Sequence, residues 1–89
     1  MYRLDISDEL EYKMAKLLKK DKILYEQLQS KIIEIVNCSD VEHYKNLRYK
    51  LKNFKRVHIG HFVLLFRFDM GNNTIHFEDF DHHDKIYLL

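Results

Sequence analysis

The first feature of this chain that could do chemistry is a basic block in its middle third. Residues 43–68 contain seven Lys and Arg residues and no Asp or Glu. The seven cations are Lys45, Arg48, Lys50, Lys52, Lys55, Arg56 and Arg67. A stretch with this charge attracts anionic ligands. The alternative interpretation is a solvated basic surface that serves solubility.

Two residues of this block have a spacing that could matter. Arg56 and His58 stand two positions apart, so on a β-strand both side chains project from the same face. The pair would place a fixed positive charge beside an imidazole, the side chain that exchanges protons near neutral pH. The alternation of His58 with Val57 and Ile59 is equally typical of the polar side of a half-exposed strand.

A second group of candidates lies near the C-terminus. His82 and His83 offer imidazoles that could carry a proton, and the sequence does not distinguish between them. Tyr87 could stack on an aromatic ring or donate a proton. In the other interpretation Tyr87, which is followed by Leu88 and Leu89, packs on the protein.

The run 81–84, Asp-His-His-Asp, contains residue types that bind zinc or iron. Adjacent histidines rarely converge on one ion, and helical zinc motifs space them four apart. We therefore expect no metal site. Gly60 and Gly71 are the only glycines, so no glycine-rich phosphate loop is present, and we expect no cofactor.

Length and composition are those of one folded domain across residues 1–89, with 46% hydrophobic and 33% charged residues. The single cysteine, Cys38, excludes an internal disulfide and fits the reducing cytoplasm. The longest apolar run, 62–66, is far below the roughly 20 residues that span a bilayer, so we expect no membrane segment. The net charge of +1 hides a partition of −2, +7 and −4 over residues 1–42, 43–68 and 69–89.

The N-terminal half predicts a short strand and two helices. Tyr2 to Ile6 alternates apolar and charged residues, and Ser7 is typical of a helix N-cap. One helical face would carry Leu10, Met14 and Leu17, and a second helix after Asp21 would carry Leu24, Leu28, Ile32 and Ile35. The short connection predicts an antiparallel helical hairpin.

The C-terminal half predicts three strands. Two strands turn at Gly60, the second of them apolar on both faces and therefore central. Residues 70–73 form a turn, Thr74 to Phe80 a third strand, and His82 to Leu89 a tail with one helical turn. The predicted fold is α+β with the order β-α-α-β-β-β. It is an antiparallel meander sheet with the N-terminal helical hairpin on one face.

These C-terminal motifs resemble those of toxins of the RelE/ParE superfamily. The resemblance is carried by Leu47-Arg48 and Leu51-Lys52, by Arg56-Val57-His58-Ile59-Gly60, and by the tail histidines followed by Tyr87. It is closest to the archaeal and bacterial RelE-like, or plasmid-stabilisation, members. The β-α-α-β-β-β order is also the order of that family.

The resemblance implies a toxin of a type II toxin–antitoxin module, held inactive by a cognate antitoxin in a complex such as a heterotetramer. RelE-like members cleave messenger RNA in the ribosomal A site. Carried over by position, the implied catalytic residues are Arg56, His82, His83 and Tyr87. The implied RNA- and phosphate-binding residues are Arg48, Lys50, Lys52, Lys55 and His58.

Metal-independent RNA cleavage requires a base for the 2′-hydroxyl proton, an acid for the leaving 5′-oxygen and cations beside the phosphate. The basic block supplies the cations, and the histidines supply groups that can take up or give a proton. Stacking of a tyrosine on an RNA base contributes about 1–3 kcal/mol to binding. Many relatives carry a Tyr-Arg pair after the Gly turn, where this chain has Phe62-Val63. Two alternatives therefore stay open: a ParE-like gyrase inhibitor without chemistry, and an inactive relative that only binds an antitoxin.

Overall fold

A computed structural model describes residues 1–47 and 53–86. Its strands are β1 (Arg3–Ile6), β2 (Lys55–Ile59), β3 (Phe62–Asp69) and β4 (Thr74–His82). Its helices are α1 (Asp8–Lys20), α2 (Lys22–Val36) and the single turn α3 (His83–Ile86), with a short 3-10 turn at Val41–His43. The predicted element order is confirmed. Within the described ranges, no helix has the length and hydropathy needed to cross a membrane.

Two capping side chains define the helical hairpin. Ser7 Oγ accepts a hydrogen bond from the Leu10 N–H at 3.1 Å and donates one to the Glu78 carbonyl at 2.6 Å, so it caps α1 and ties it to β4. The Asp21 carboxylate accepts from the Leu24 N–H at 3.1 Å, while its own N–H bonds to Leu17. Asp21 thus ends α1 and begins α2, which turns the chain back on itself.

The sheet has the strand order β1-β4-β3-β2. Strands β2, β3 and β4 form the expected antiparallel meander, and β1 joins it parallel to β4. The complete sheet is therefore mixed. The turns use residues that tolerate positive φ, with Gly60 at 61° and Asn73 at 52°.

The helical hairpin covers one face of the sheet and forms the main core. Three of the four residues predicted for the α2 stripe are buried and Leu24 is half-buried, and Phe66 and Phe77 contribute two fully buried rings from the sheet. The buried members are Leu10, Leu28, Ile32, Ile35, Val36, Val41, Ile59, Leu64, Phe66, Ile75, Phe77 and Phe80. We call the opposite side of the sheet the outer face.

The outer face carries a second, smaller core. Val63 and Leu65 of β3 project there and are buried under Leu47 and Ile86, with Phe54 packed alongside. β3 is therefore covered on both faces, as its continuous apolar run predicts. The Leu47 N–H bonds to the Phe54 carbonyl at 2.9 Å and joins the two chain segments that flank this core.

The predicted boundary of the third strand was too short. β4 runs to His82, two residues beyond Phe80, and α3 follows without a linker. Glu78 is an extra residue in β4, because Leu65 pairs with Asp79 while Phe66 pairs with Phe77. As a result His82 is a strand residue, and His83 begins the helical turn.

Candidate functional site

The first group of candidate residues lies on edge strand β2. Arg56 Nη1 is 3.2 Å from His58 Nε2, so the predicted same-face pair is formed. Because the guanidinium can only donate, Nε2 of His58 must act as the acceptor, which requires an unprotonated nitrogen there. A fixed cation and an imidazole lone pair are thus held together on an accessible surface.

The strand register defines where this pair lies. Arg56 pairs with Leu65 and His58 with Val63, the two β3 residues of the outer-face core. Directly opposite residues share a face of the sheet. The Arg56–His58 pair therefore flanks the small core on the outer face, away from the helical hairpin.

Lys55, predicted to bind phosphate, lies elsewhere. Its side chain is on the hairpin side and the residue is only 6% exposed. The ammonium donates to Asn46 Oδ1 at 2.8 Å and to the Tyr44 carbonyl at 3.2 Å. Burial and these two bonds argue against direct contact with a phosphate, so Lys55 stabilises the loop that precedes β2. We leave it out of the candidate site.

The second group is formed by His61, His82, His83 and Asp84, which we call the histidine cluster. The rings of His82 and His83 have centroids 4.9 Å apart, and His61 stacks on His82 at 6.2 Å. The His83 N–H donates to the His61 carbonyl at 3.0 Å, which fixes the β2–β3 turn against the end of β4. The sequence did not single out His61, although its position after Gly60 places it at a sheet end.

Asp84 lies between the two adjacent imidazoles. Its carboxylate oxygens are 3.0 Å from His83 Nε2 and 3.6 Å from His82 Nδ1. Its N–H also donates to His82 Nδ1 at 3.3 Å. The cluster is solvent-accessible, since the side chains of both histidines are more than a third exposed.

The Arg56–His58 pair and the histidine cluster are separate groups in the structure. His82 pairs with Phe62, which packs against the main core, whereas His58 pairs with Val63 of the outer-face core. Successive strand residues project to opposite faces, so the His82 ring begins on the hairpin side. α3 returns to the outer face, where Ile86 packs.

All five carboxylates of residues 69–89 have partners. Asp79 and Asp81 accept hydrogen bonds from Lys13 of α1 at 2.7 and 3.0 Å, because β1 pairs only with Thr74–Phe77 and leaves that part of β4 next to α1. Glu78 accepts from Arg67 at 3.0 Å, Asp69 from Asn72, and Asp84 contacts its histidines. Three of these carboxylates, those of Glu78, Asp79 and Asp81, are thus paired with a fixed cation, and Asp79 and Asp81 share Lys13.

We call the group formed by Lys13, Asp79 and Asp81 the Lys13 clamp. Its contacts shift the pKa of Lys13 and of Asp81. Partial burial by itself lowers the pKa of Lys13, but hydrogen bonds and attraction from Asp79 and Asp81 outweigh it, and the pKa is raised. Partial burial by itself raises the pKa of Asp81, but the bonds from Lys13 and the His82 N–H hold it below the usual value. Both shifts favour the charged forms.

Two cations of the basic block differ from the others described. In residues 1–47 and 53–86, Arg67 forms an ion pair with a carboxylate and Lys55 is buried, whereas Arg56 and Lys45 form no such pair and are accessible. They are available for an anionic ligand. The predicted site residues Arg48, Lys50, Lys52 and Tyr87 lie outside the described residues.

Comparisons with known proteins agree with this fold. No protein-family model matches the chain. A protein of Methanocaldococcus jannaschii with the provisional name toxin RelE4 is 47% identical over 88 residues, covering 98% of this chain and 92% of that one. The isolated RelE toxin of E. coli has a TM-score of 0.74 at 15% identity, covering 99% of this chain and 93% of RelE. A chain of the intact E. coli RelBE toxin–antitoxin complex has a TM-score of 0.72 at 15% identity, covering 92% and 96%.

A four-stranded sheet with a helical hairpin on one face is thus the class of fold found in the RelE structures. The chain belongs to the RelE-like toxin superfamily, because a relative of almost half identity spans nearly its whole length. The resemblance that the C-terminal motifs indicated is confirmed.

Proposed function

We propose that this protein is the toxin of a RelBE-type toxin–antitoxin module and cleaves messenger RNA in the ribosomal A site. The observation that carries the proposal is the Arg56–His58 pair on the outer face of a RelE-like fold. The ion pairs of Glu78, Asp79 and Asp81 with Arg67 and Lys13 support it, because a paired carboxylate repels a polyanion less than an unpaired one. Translating ribosomes place this activity in the cytoplasm.

In the proposed mechanism Arg56 moves from His58 to the scissile phosphate and stabilises the charge that develops there. Its departure leaves Nε2 of His58 with a free lone pair, which can accept the 2′-hydroxyl proton. As the 2′-oxygen bonds to phosphorus, the bond to the 5′-oxygen breaks and that oxygen takes a proton. His83 or His82 is the proposed donor, with Lys52 and Tyr87 retained as a second cation and a base platform.

The position of Val63 bears on the non-enzymatic alternative. Where many relatives have Arg, this chain has a side chain that is fully buried under Ile86 and Leu47. A cation there would have to be buried, which is costly without a partner. Among the described cations of the basic block, Arg56 is the one beside an imidazole, so its replacement separates an enzyme from a gyrase inhibitor that acts by contact.

The experiment compares induced expression of the wild type with Arg56→Ala and Arg3→Ala. Arg3 is an exposed arginine on β1 and serves as the matched control. We expect growth arrest and cuts inside translated codons for the wild type and Arg3→Ala. Loss of one charge-stabilising group costs about 100-fold or more in rate, so Arg56→Ala should leave messages intact. Linearised DNA with uncut messages in arrested cells would instead show the gyrase inhibitor.

We further propose that the antitoxin covers a groove of about 570 Å³ between α2 and β2. β2 is the edge strand of the sheet. Among the described residues, no strand pairs with its free edge at His58. The groove is lined by Ile23 of α2, which is 73% exposed, by polar side chains of α2, and by His58, Ile59 and Gly60. An edge strand beside an exposed apolar side chain suits an extended or helical peptide.

Co-purification with the product of a neighbouring short reading frame tests this surface. Ile23→Arg should weaken the complex about tenfold or more, because an interface hot spot contributes about 2 kcal/mol or more. Ile33→Arg is the control, since Ile33 is also exposed on α2 but does not line the groove. Equal binding by both variants would exclude the groove as the antitoxin site.

A further inference from the structure

The histidine cluster brings three metal-binding side chains together. The ligand atoms of His82, His83 and Asp84 all lie within 4.8 Å of one another. The spacing of the two histidines in the sequence argues against such convergence, because adjacent residues of a strand point to opposite faces. Here His82 ends β4 and His83 begins α3, so the backbone changes direction between them and their rings come to 4.9 Å.

From this geometry we infer a binding site for a divalent transition-metal ion, of which Zn²⁺ is the reference, held by His82, His83 and Asp84. Ligand atoms about 2.0–2.1 Å from a tetrahedral Zn²⁺ lie about 3.3 Å apart. The carboxylate oxygens of Asp84 are 3.0 and 3.6 Å from the two ring nitrogens, on either side of that spacing. Side-chain rotations that bring ligand atoms now within 4.8 Å of one another to about 3.3 Å would complete three-ligand coordination.

The donor set selects the class of ion. Two imidazoles with one carboxylate suit zinc, nickel, copper or iron, whereas calcium and magnesium require mostly oxygen ligands. Three protein ligands leave a tetrahedral position for water. His61 stacks on His82 at a centroid distance of 6.2 Å, but it is not among the ligand atoms that lie within 4.8 Å of one another, so it is not in the ligand set.

The site is partly organised before an ion arrives. The hydrogen bond from the His83 N–H to the His61 carbonyl holds the start of α3, and Ile86 anchors the same turn in the outer-face core. Metal binding at His82 replaces the 3.3 Å bond from the Asp84 N–H to His82 Nδ1. The 73% exposure of the Asp84 side chain leaves the site open to ions from solution.

Isothermal titration of the intact protein with Zn²⁺ tests the inference. We expect one ion per chain. His83→Ala and Asp84→Asn should each lose about tenfold or more in affinity, at least the effect of removing an outer-shell partner. His76→Ala is the matched control, because His76 also contacts a carboxylate, Asp5, at 2.8 Å but has no second histidine there. It should retain wild-type affinity.

Co²⁺ absorption provides an independent readout, since a four-coordinate site gives an intense visible band. The wild type and His76→Ala should show the band, and His83→Ala should lose it. Failure of the wild type to bind Zn²⁺, binding at one ion per two chains, or equal affinity of wild type, His83→Ala and Asp84→Asn would overturn the site. Thermal unfolding of each apo variant separates ligand loss from misfolding.

If the histidines also carry protons during cleavage, as proposed above, bound Zn²⁺ should inhibit by occupying their nitrogen lone pairs. Only this inhibition measurement depends on the proposed function. Zn²⁺ binding without inhibition would retain the metal site and count against the histidines as proton carriers.

Discussion

The two faces of the sheet differ in how they are covered and in what they carry. The hairpin face is sealed by two helices over a core of aliphatic and aromatic side chains. Among the described residues, the outer face has four buried apolar side chains, Leu47, Val63, Leu65 and Ile86, and beside them lie the Arg56–His58 pair and the carboxylates of β4. In residues 1–47 and 53–86, the larger buried core thus lies on the hairpin face, and the outer face carries charged groups beside a smaller core.

Adjacent residues of β3 provide the most direct test of this difference. Leu64 lies in the main core and Leu65 in the outer-face core, and both are buried. Leu64→Ala should destabilise by about 3–5 kcal/mol and Leu65→Ala by about 2–3 kcal/mol, because the smaller core can collapse around the lost volume. Urea unfolding of both variants measures the difference. Equal losses, or a larger loss for Leu65→Ala, would contradict the ranking of the two faces.

The next effect concerns the bond that ties the hairpin to the sheet. Ser7→Ala removes the cap of α1 and leaves the Glu78 carbonyl without its side-chain donor. The expected cost is about 1–2 kcal/mol by thermal or urea unfolding. Ser39→Ala is the control, because Ser39 is an exposed serine outside the helices. A cost as small as that of Ser39→Ala would show that Ser7 does not join the two layers.

The Lys13 clamp joins α1 to the carboxylates of β4, and it should make stability depend on acid. The pKa of Asp81 is lower in the folded protein than the usual value, so its contribution is present at neutral pH and is lost as pH falls through the folded pKa. Asp81→Asn should therefore cost about 1 kcal/mol at neutral pH and progressively less below about pH 4.

Urea unfolding across the acid range measures this dependence. Glu26→Gln, at an exposed position of α2, is the control and should follow the wild type. If the gap between Asp81→Asn and the wild type widened on acidification, the clamp would not stabilise the charged carboxylate.

The smallest effect belongs to the exposed pair Arg67–Glu78. Arg67→Gln should cost less than about 1 kcal/mol, because solvent and salt screen an exposed ion pair. High salt should reduce the difference from the wild type further. A loss as large as that of Leu65→Ala would mean that charges, and not the small core, stabilise the outer face.

Several parts of the fold were predictable because their causes are local. The caps at Ser7 and Asp21, the buried stripe of α2 and the turn at Gly60 each depend on residues a few positions apart. The Arg56–His58 pair was predictable for the same reason, because strand geometry alone places residues two apart on one face.

Other parts were not predictable, and the burial of Lys55 shows why. Nothing in its neighbours distinguishes it from the cations around it, and its environment is created by Tyr44 and Asn46 across a connection of irregular structure. The two-residue extension of β4 to His82 likewise depends on pairing with Phe62.

The amino-acid pattern was therefore sufficient for the element order, the helical hairpin, the central place of β3 and the resemblance to RelE-like toxins. Periodicity, capping and turn chemistry act within a few residues, so they can be read along the chain. Three features depend on the tertiary structure: the parallel pairing of β1 with β4, the Lys13 clamp, and the convergence of His82, His83 and Asp84. The first two join residues far apart in sequence, and the third depends on a change of backbone direction, so each requires the packed sheet.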